Sequence, residues 1–194
     1  MMTQHSEADD LFQNNPALAE QKLLEAVKKN PTDVESHLLL GATRLKLGKH
    51  ALAAESFRDA LRAEANNRPA MVLLATALEA ANDLPQALSA WQEVAKADPS
   101  SKDAREHVAK LADRTGKTEV ALEARRELVD LTPGSPERVA DLAVYLQRAG
   151  KHAEAVRLFE RANTLEPGFL EKHPTEANAY AQSKAAAGSS RRHS

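Results

Sequence analysis

The sequence predicts an all-α fold, a solenoid built from antiparallel helix pairs, and two observations carry that prediction. The stretch GKHALAAESFRDALRAE at 48–64 recurs as GKHAEAVRLFERANTLE at 150–166, three periods of 34 residues later. Self-similarity at such a period is the signature of repeat architectures. Ala and Leu dominate the apolar residues and only 4% of the chain is aromatic, a composition that favours helices over sheets.

Each period contains a helix, a short turn, a second helix and another turn, which gives four full repeats at 34–67, 68–101, 102–135 and 136–169. Small residues recur at one place on each helix, where two helices joined by a turn can cross closely. A large ring recurs on the second helix of three repeats. The small residues are Gly41, Ala75, Ala109 and Ala143 on the first helices and Ala53, Ala87, Ala121 and Ala155 on the second, and the rings are Phe57, Trp91 and Phe159.

The turns and the helix starts carry their own signals. A left-handed backbone is needed between the two helices of a pair, and only Gly or Asn adopts it at low cost. Thr32 and Glu35 form a predicted capping box, and Ser135 before Pro136 is a predicted N-cap. The predicted left-handed residues are Gly48, Asn82, Gly116 and Gly150, and the prolines that end second helices are Pro31, Pro99, Pro133 and Pro167.

Outside the four repeats the pattern weakens. Residues 1–15 are predicted to form a flexible segment or a short helix. Residues 16–33 match only the second helix of a repeat, which predicts a partial repeat. Residues 170–187 are predicted to form a capping helix, because the last repeat would otherwise expose its apolar face. Residues 188–194 are small and basic, and we expect them to be disordered.

Paired helices at a period of 34, with small–large–small columns and a closing proline, resemble tetratricopeptide repeats. The resemblance covers 34–169 in full and 16–31 in part. It implies a right-handed superhelix in which the first helices line a concave groove that binds other proteins. Arg105 and Arg125 depart from the pattern, since bulky apolar residues are usual at their positions. We expect their alkyl stems to cover apolar surface while their guanidinium groups reach water.

The candidate binding residues are first-helix residues that the repeat packing does not use. In the first two repeats they are mostly apolar, and an apolar strip on a solvent-facing groove usually marks a contact site. In the last two repeats they carry both signs of charge, which suits the orientation of a bound helix or extended segment. The candidate partner-binding residues are Leu38, Leu39, Ala42, Leu45, Val72, Leu73 and Thr76 in the first two repeats, and Glu106, His107, Lys110, Arg114 and Arg148 in the last two.

Two functions are compatible with these residues. The chain is either an adaptor that binds a peptide or helix of a partner protein, or a structural subunit that self-associates into a homo-oligomer. The apolar strip is either open to a partner or covered by the protein itself, through Leu11 and Phe12 or through Tyr180. The sequence gives partner binding and self-coverage equal weight.

Composition and the absence of known motifs argue against several other functions, including nucleic-acid binding and catalysis. The net charge of -2, with mixed signs, gives no indication of a nucleic-acid or anionic membrane partner. The chain has no Cys, which excludes disulfides, thiolate metal sites and a cysteine nucleophile. No HExxH, glycine-rich phosphate loop or Gly-x-Ser-x-Gly element occurs, so we expect no enzyme activity and no cofactor. Without a signal-peptide pattern or a bilayer-length apolar run, we expect a cytoplasmic protein.

Overall fold

The computed structural model describes residues 11–190, with side chains described for residues 11–189. All regular secondary structure in these residues is helical, which confirms the predicted all-α class. The chain divides into two compact units, unit 1 ending at Pro99 and unit 2 beginning at Ser100. The helices are α1 (Pro16–Lys29), α2 (Val34–Lys46), α3 (His50–Ala63), α4 (Arg68–Ala80), α5 (Leu84–Ala97), α6 (Lys102–Arg114), α7 (Thr118–Leu131), α8 (Pro136–Arg148), α9 (His152–Leu165), α10 (Phe169–Lys172) and α11 (Pro174–Ser190).

Unit 1 contains a short helical stretch at residues 11–14 and the helices α1 to α5, each of which packs against the next. Polar side chains mark the helix starts. Those of Asn15 and Asn67 accept hydrogen bonds, at 3.2 and 2.9 Å, from backbone N–H groups three residues later. Between paired helices, Gly48 (φ 72°) and Asn82 (φ 57°) adopt the left-handed conformation, as the sequence predicts. Residues 1–10, which make up most of the predicted flexible segment or short helix, lie outside the described part of the chain.

The first helix pair of unit 1 brings a small residue against a large one. A Cβ atom on Gly41 would lie 2.6 Å from Cζ and 2.8 Å from Cδ1 of Phe57, a ring that is completely buried. The glycine of α2 therefore packs against the ring of α3. The missing side chain at position 41 is what makes room for the ring.

Gly41→Ala is expected to lower the free energy of unfolding by about 1–2 kcal/mol. The added methyl group overlaps a buried ring, and overpacking costs about 1–3 kcal/mol, whereas the gain in helix propensity is at most about 1 kcal/mol. Urea denaturation followed by circular dichroism measures the change. Gly188→Ala is the matched control, because nothing lies within 4 Å of its Cβ position, and it should be neutral or stabilising. Equal effects of the two changes would contradict the packing argument.

A buried ion-pair network joins α1, α2 and α3. Glu20 is only 8% exposed and accepts hydrogen bonds from Arg44 Nε at 3.3 Å and from Lys49 Nζ at 2.5 Å. Arg44 also donates to Ser56 Oγ at 2.8 Å and to the Leu52 carbonyl oxygen at 3.0 Å. The hydrogen bond from Lys49, reinforced by the one from Arg44, lowers the pKa of Glu20 from its ordinary value of 4.5.

Glu20→Gln is expected to lower the free energy of unfolding by about 2 kcal/mol at neutral pH, because hydrogen bonds to charged groups contribute about 1.5–3 kcal/mol. The folded-state pKa of Glu20 lies below its unfolded value. The contribution of Glu20 to the free energy of unfolding is therefore fully present above the ordinary pKa of 4.5. It is lost as the pH falls through the folded-state pKa. Urea denaturation over a pH series should show the wild-type and variant curves converging in acid. A constant difference would exclude a role for the Glu20 charge.

Unit 2 contains α6 to α11, and α6 to α9 each pack against the next helix. Gly116 (φ 70°) and Gly150 (φ 75°) are left-handed, as predicted. Ser135 Oγ accepts a hydrogen bond at 3.3 Å from the backbone N–H three residues later, which confirms the predicted N-cap. The core of the unit includes Phe159 and Phe169, which are 0% and 1% exposed.

The predicted capping box at Thr32 and Glu35 is wrong. Asp33 is the N-cap of α2, and its side chain makes no cap hydrogen bond. Thr32 Oγ1 instead donates to Asn30 Oδ1 at 3.1 Å, while Asp33 Oδ2 accepts from Ser36 Oγ at 2.5 Å. A capping residue must immediately precede the first helical residue, and Asp33 occupies that position in place of Thr32.

The carboxy-terminal helix ends later than predicted. α11 packs against α8, α9 and α10 and continues through Ser190. The predicted disorder is therefore wrong for residues 188–190, and residues 191–194 lie outside the described part of the chain. A glycine inside a helix costs about 1 kcal/mol relative to alanine. Gly188 is consequently too weak a signal to end a helix that is preceded by three alanines.

Candidate functional site

The name apolar strip is used here for the seven first-helix candidates of unit 1, which lie on α2 and α4. Both helices pack against α3, which holds them within one compact unit. Val72 is 39% exposed and Thr76 is exposed, whereas the other five residues are half-buried. The residues of the strip are Leu38, Leu39, Ala42 and Leu45 on α2, and Val72, Leu73 and Thr76 on α4.

The members of the apolar strip differ in how available they are to a partner. Leu39 packs against a core pair formed by Leu23 and Leu40, so part of its surface is used inside unit 1. The hydroxyl group of Thr76 donates to the Val72 carbonyl oxygen at 2.8 Å, so its hydrogen is used within α4. The strip therefore presents aliphatic side chains, rather than a polar group, at the surface of unit 1.

The amino-terminal helical stretch contacts the end of α2. Lys46 Nζ donates to the Phe12 carbonyl oxygen at 2.8 Å and lies 4.6 Å from the centroid of the Phe12 ring. A cation is favoured there because carbonyl groups at the end of a helix lack partners within the helix. The contact joins the amino-terminal stretch to Lys46, which is not one of the strip residues. Tyr180 packs within unit 2, with its ring centroid 5.9 Å from that of Phe159.

The charged candidates of unit 2 are partly paired with one another. Glu106 is half-buried, and its carboxylate forms ion pairs with Lys110 on the same helix, at 3.8 Å, and with Arg138 of α8. The structure thus brings two of the five candidates together and adds Arg138, which the sequence analysis does not select. The remaining candidates are exposed at Arg114 and Arg148 and half-buried at His107.

The expectation that Arg105 and Arg125 reach water is wrong. Their side chains are only 9% and 11% exposed. Arg105 Nε lies 2.8 Å from Glu127 Oε2, and its Nη1 donates to the Ser101 carbonyl oxygen at 3.2 Å. A guanidinium group removed from water is stable only where carboxylates and carbonyl groups replace the lost hydration. Neighbouring polar groups, which a column pattern does not reveal, supply that replacement here.

Arg125 lies at the centre of a cluster that joins α6, α7 and α8. Its Nη2 lies 2.6 Å from Asp113 Oδ2 and its Nε lies 3.2 Å from Asp141 Oδ2. Its Cζ lies 4.3 Å from the centroid of the Tyr145 ring, within range of a cation–π contact. The two carboxylates are 38% and 54% exposed, so this face of unit 2 presents them to solvent around a buried cation. Burial raises the pKa of Tyr145.

The sequence contained a partial signal for the Arg125 cluster. Arg125 stands in the column that holds rings in the other repeats, and Asp113 stands twelve residues before it. The same spacing joins Trp91 Nε1 to Glu79 Oε2, at 3.1 Å, in unit 1. A polar residue in the ring column together with an acid twelve residues earlier therefore indicates a buried polar contact between the two helices of a pair.

Arg125→Met is expected to change the free energy of unfolding by less than about 1 kcal/mol, since apolar residues of similar volume often replace a buried ion pair at little cost. The carboxylates that it leaves behind are partly exposed and can hydrate. Arg125→Ala should cost about 3 kcal/mol, because it leaves a cavity. Urea denaturation of both variants separates packing from charge. If the two variants lose the same free energy of unfolding, the ion pairs of Arg125, rather than its side-chain volume, stabilise unit 2.

Two other kinds of site are absent from residues 11–190. No group of three or more acidic or histidine side chains in this range is arranged to hold a metal ion. In the same range no helix is both long enough and apolar enough to cross a membrane.

Comparison with known proteins assigns the chain to one sequence family and finds solved structures with a similar fold. The sequence profile of the tetratricopeptide repeat family matches residues 9–69 and 72–136. No curated protein matches the chain. A crystal structure of MamA is similar with a TM-score of 0.64 and 22% identity, covering 86% of this chain and 96% of that chain.

Two further solved structures resemble the chain to the same degree. The structure of MamA from residue 41 to its end, from Desulfovibrio magneticus RS-1, has a TM-score of 0.62 and 22% identity, covering 86% of this chain and 94% of that one. YrrB, a tetratricopeptide repeat protein with an unusual peptide-binding site, has a TM-score of 0.62 and 18% identity, covering 84% of each chain. At these identities the likeness shows the shared fold alone.

Proposed function

The chain belongs to the tetratricopeptide repeat family, and we propose that it is a protein-interaction scaffold whose apolar strip binds a helix or extended segment of a partner protein. The observation that carries the proposal is the partial exposure of aliphatic side chains on two first helices of unit 1, above all Val72, which is 39% exposed. The family is generally one of protein interaction rather than catalysis, so the proposal assigns binding and no reaction. The peptide-binding site of YrrB shows that a similar fold supports this use.

The spacing of the strip residues indicates what kind of segment fits. Leu38 and Leu45 are seven residues apart on α2, so they lie two turns apart on one face of the helix. An amphipathic helix with aliphatic residues at similar spacing, or an extended segment with alternating aliphatic residues, matches such a face. Burial of aliphatic surface contributes about 25 cal/mol per Å². A few half-exposed side chains therefore suit a moderate, reversible interaction.

The charged candidates of unit 2 are proposed to form a contact surface of that unit, which orients a segment bound there. Lys110, Arg114 and Arg148 are exposed, and exposed charges at the rim of an interface change the association rate more than the affinity. The ion pairs of Glu106 with Lys110 and Arg138 fix the position of its carboxylate on this face. In this proposal the charges of unit 2 supply selectivity at the surface of that unit alone.

Self-association is the second candidate function, and exposed leucines on the second helices of unit 1 favour it. Leu18 and Leu24 of α1 and Leu52 of α3 are 38%, 41% and 40% exposed. Light scattering after size exclusion separates the two functions. A molar mass that rises with concentration, and that Leu24→Asp lowers while Val72→Asp does not, would favour the self-associating subunit. A monomer at all concentrations would favour the adaptor.

The combined change of Leu38, Leu45 and Val72 to Asp is expected to abolish capture of the partner from native lysate by the tagged protein, as identified by mass spectrometry. Each new carboxylate would have to lose its hydration against an apolar partner surface. Helical circular dichroism should be unchanged.

Two controls accompany this experiment. Leu165→Asp, at a site that is 40% exposed at the end of α9, should capture the partner normally. Because Leu38 and Leu45 are half-buried, Val72→Asp alone tests the strip with the least risk to folding. Undiminished capture by a folded triple variant would show that the partner uses another surface.

A further inference from the structure

An open groove of about 400 Å³ lies between α9 and α11 in unit 2. One wall is formed by Val156, Arg157 and Glu160 of α9, and the other by Lys184, Ala187 and Gly188 of α11. We call it the α9–α11 groove. It is separate from the apolar strip and from the Arg125 cluster, and the proposed function does not use it.

Comparison of equivalent positions in the repeats shows that the groove lies where another helix covers the inner repeats. Val156 follows Leu122 by one period and Ala54 by three periods of 34 residues. Ala54 and Leu122 are 1% and 2% exposed, whereas Val156 is only half-buried. The same position is thus fully covered in an inner repeat of each unit and incompletely covered at the last second helix.

Glu160, which lies one helical turn after Val156 on α9, provides a second, independent observation. Arg58 and Arg126 occupy equivalent places on α3 and α7. Each hydrogen-bonds the third residue of the following second helix within its own unit, Gln86 for Arg58 and Glu154, at 3.0 Å, for Arg126. Glu160 occupies this place on α9. In both units, then, the position belongs to the contact between successive second helices.

The sequence explains why α11 does not supply a following second helix. The period would place a left-handed residue at 184, and the residue there is Lys184. Lys does not adopt the left-handed conformation cheaply, so α11 continues as a helix through Ser190. Its last two turns form one wall of the groove, and the small residues Ala187 and Gly188 on that wall allow a helix backbone to approach closely.

The charges on α9 are reversed relative to those at the equivalent positions of α3 and α7. α3 carries Glu55 followed by Arg58, and α7 carries Glu123 followed by Arg126, whereas α9 carries Arg157 followed by Glu160. Lys184, on the opposite wall, adds a second cation. Glu160 Oε1 accepts a hydrogen bond from the Tyr180 hydroxyl at 3.2 Å, and a carboxylate has further acceptor capacity.

We propose that the α9–α11 groove is a docking site for one α-helix of a partner protein, which takes the place of a following second helix. The reversed charges specify that helix. It presents a basic residue in its first turn to Glu160 and acidic residues to Arg157 and Lys184. A second copy of this chain fits poorly, because none of its second helices has a basic third residue. The residues at that place are Leu18, Leu52, Gln86, Val120 and Glu154.

The test uses two peptides with the sequence of residues 83–98, the segment that contains α5 and packs beside α4 in unit 1. One peptide carries Gln86→Arg and the other Gln86→Glu. In both, a lactam bridge from Gln92→Glu to Lys96, two exposed positions, keeps the peptide helical, and circular dichroism verifies it. Fluorescence anisotropy of the labelled peptides measures binding to the full chain.

We expect the Gln86→Arg peptide to bind about threefold more tightly than the Gln86→Glu peptide, the size typical of a partly exposed ion pair. Glu160→Arg in the protein should reverse that preference. Ala187→Arg, which fills the groove, should remove binding, and Ala185→Arg, an exposed site on the same helix outside the groove lining, should not. Both variants should retain wild-type helicity.

Three binding results would overturn the proposal: no binding of either helical peptide, equal affinity for both, or binding that survives Ala187→Arg. Self-docking is the other contrary outcome. A dimer in light scattering that Ala187→Arg converts to a monomer, while Ala185→Arg does not, would assign the groove to a second copy of the chain.

Discussion

In each 34-residue period, one left-handed residue between the paired helices reverses the chain, and the packing within both units depends on that reversal. The four such residues between paired helices have φ angles from 57° to 75°, a conformation that costs an ordinary residue about 1–2 kcal/mol. The reversal folds the second helix back along the first, so that a ring such as Phe57 can reach a residue such as Gly41. Where the fifth left-handed residue is due, Lys184 continues the helix. The constraint that builds the pairs therefore also explains the long last helix and the groove beside it.

Periodicity in the sequence predicted the helix pairs and their left-handed turns, because both follow from local backbone preference at a fixed spacing. It did not predict which side chains meet. Gly41 packs against the ring of Phe57, a contact that the columns of small residues did not indicate. The reach of a ring depends on how two helices cross, and no single column contains that information. Thr32 failed as a cap for a similar reason, because Asp33 beside it competes for the one position that can cap α2.

Buried arginines are the feature that the column pattern described least well. Arg44 in unit 1 and Arg125 in unit 2 both stand at positions that hold apolar residues in the other repeats. Arg44 is held by one acidic residue of a neighbouring helix and Arg125 by two. Such pairs contribute little stability beyond that of a well-packed apolar residue. Their hydrogen bonds are directional, however, and each network ties three helices together at defined distances. We interpret them as contacts that fix helix positions within a unit, rather than as sources of additional stability.

The two candidate surfaces differed in how far the sequence could reveal them. Position on a first helix and hydropathy were enough to mark Val72 and its neighbours. Glu160 resembles any surface carboxylate until the structure shows that Arg58 and Arg126, at the same place, reach the next second helix. The surfaces also select differently. An aliphatic strip favours hydrophobic segments but sets no direction, whereas a base opposite Glu160 and an acid opposite Arg157 fix the polarity of a bound helix. Two surfaces of such different chemistry can recognise different segments without competing for the same one.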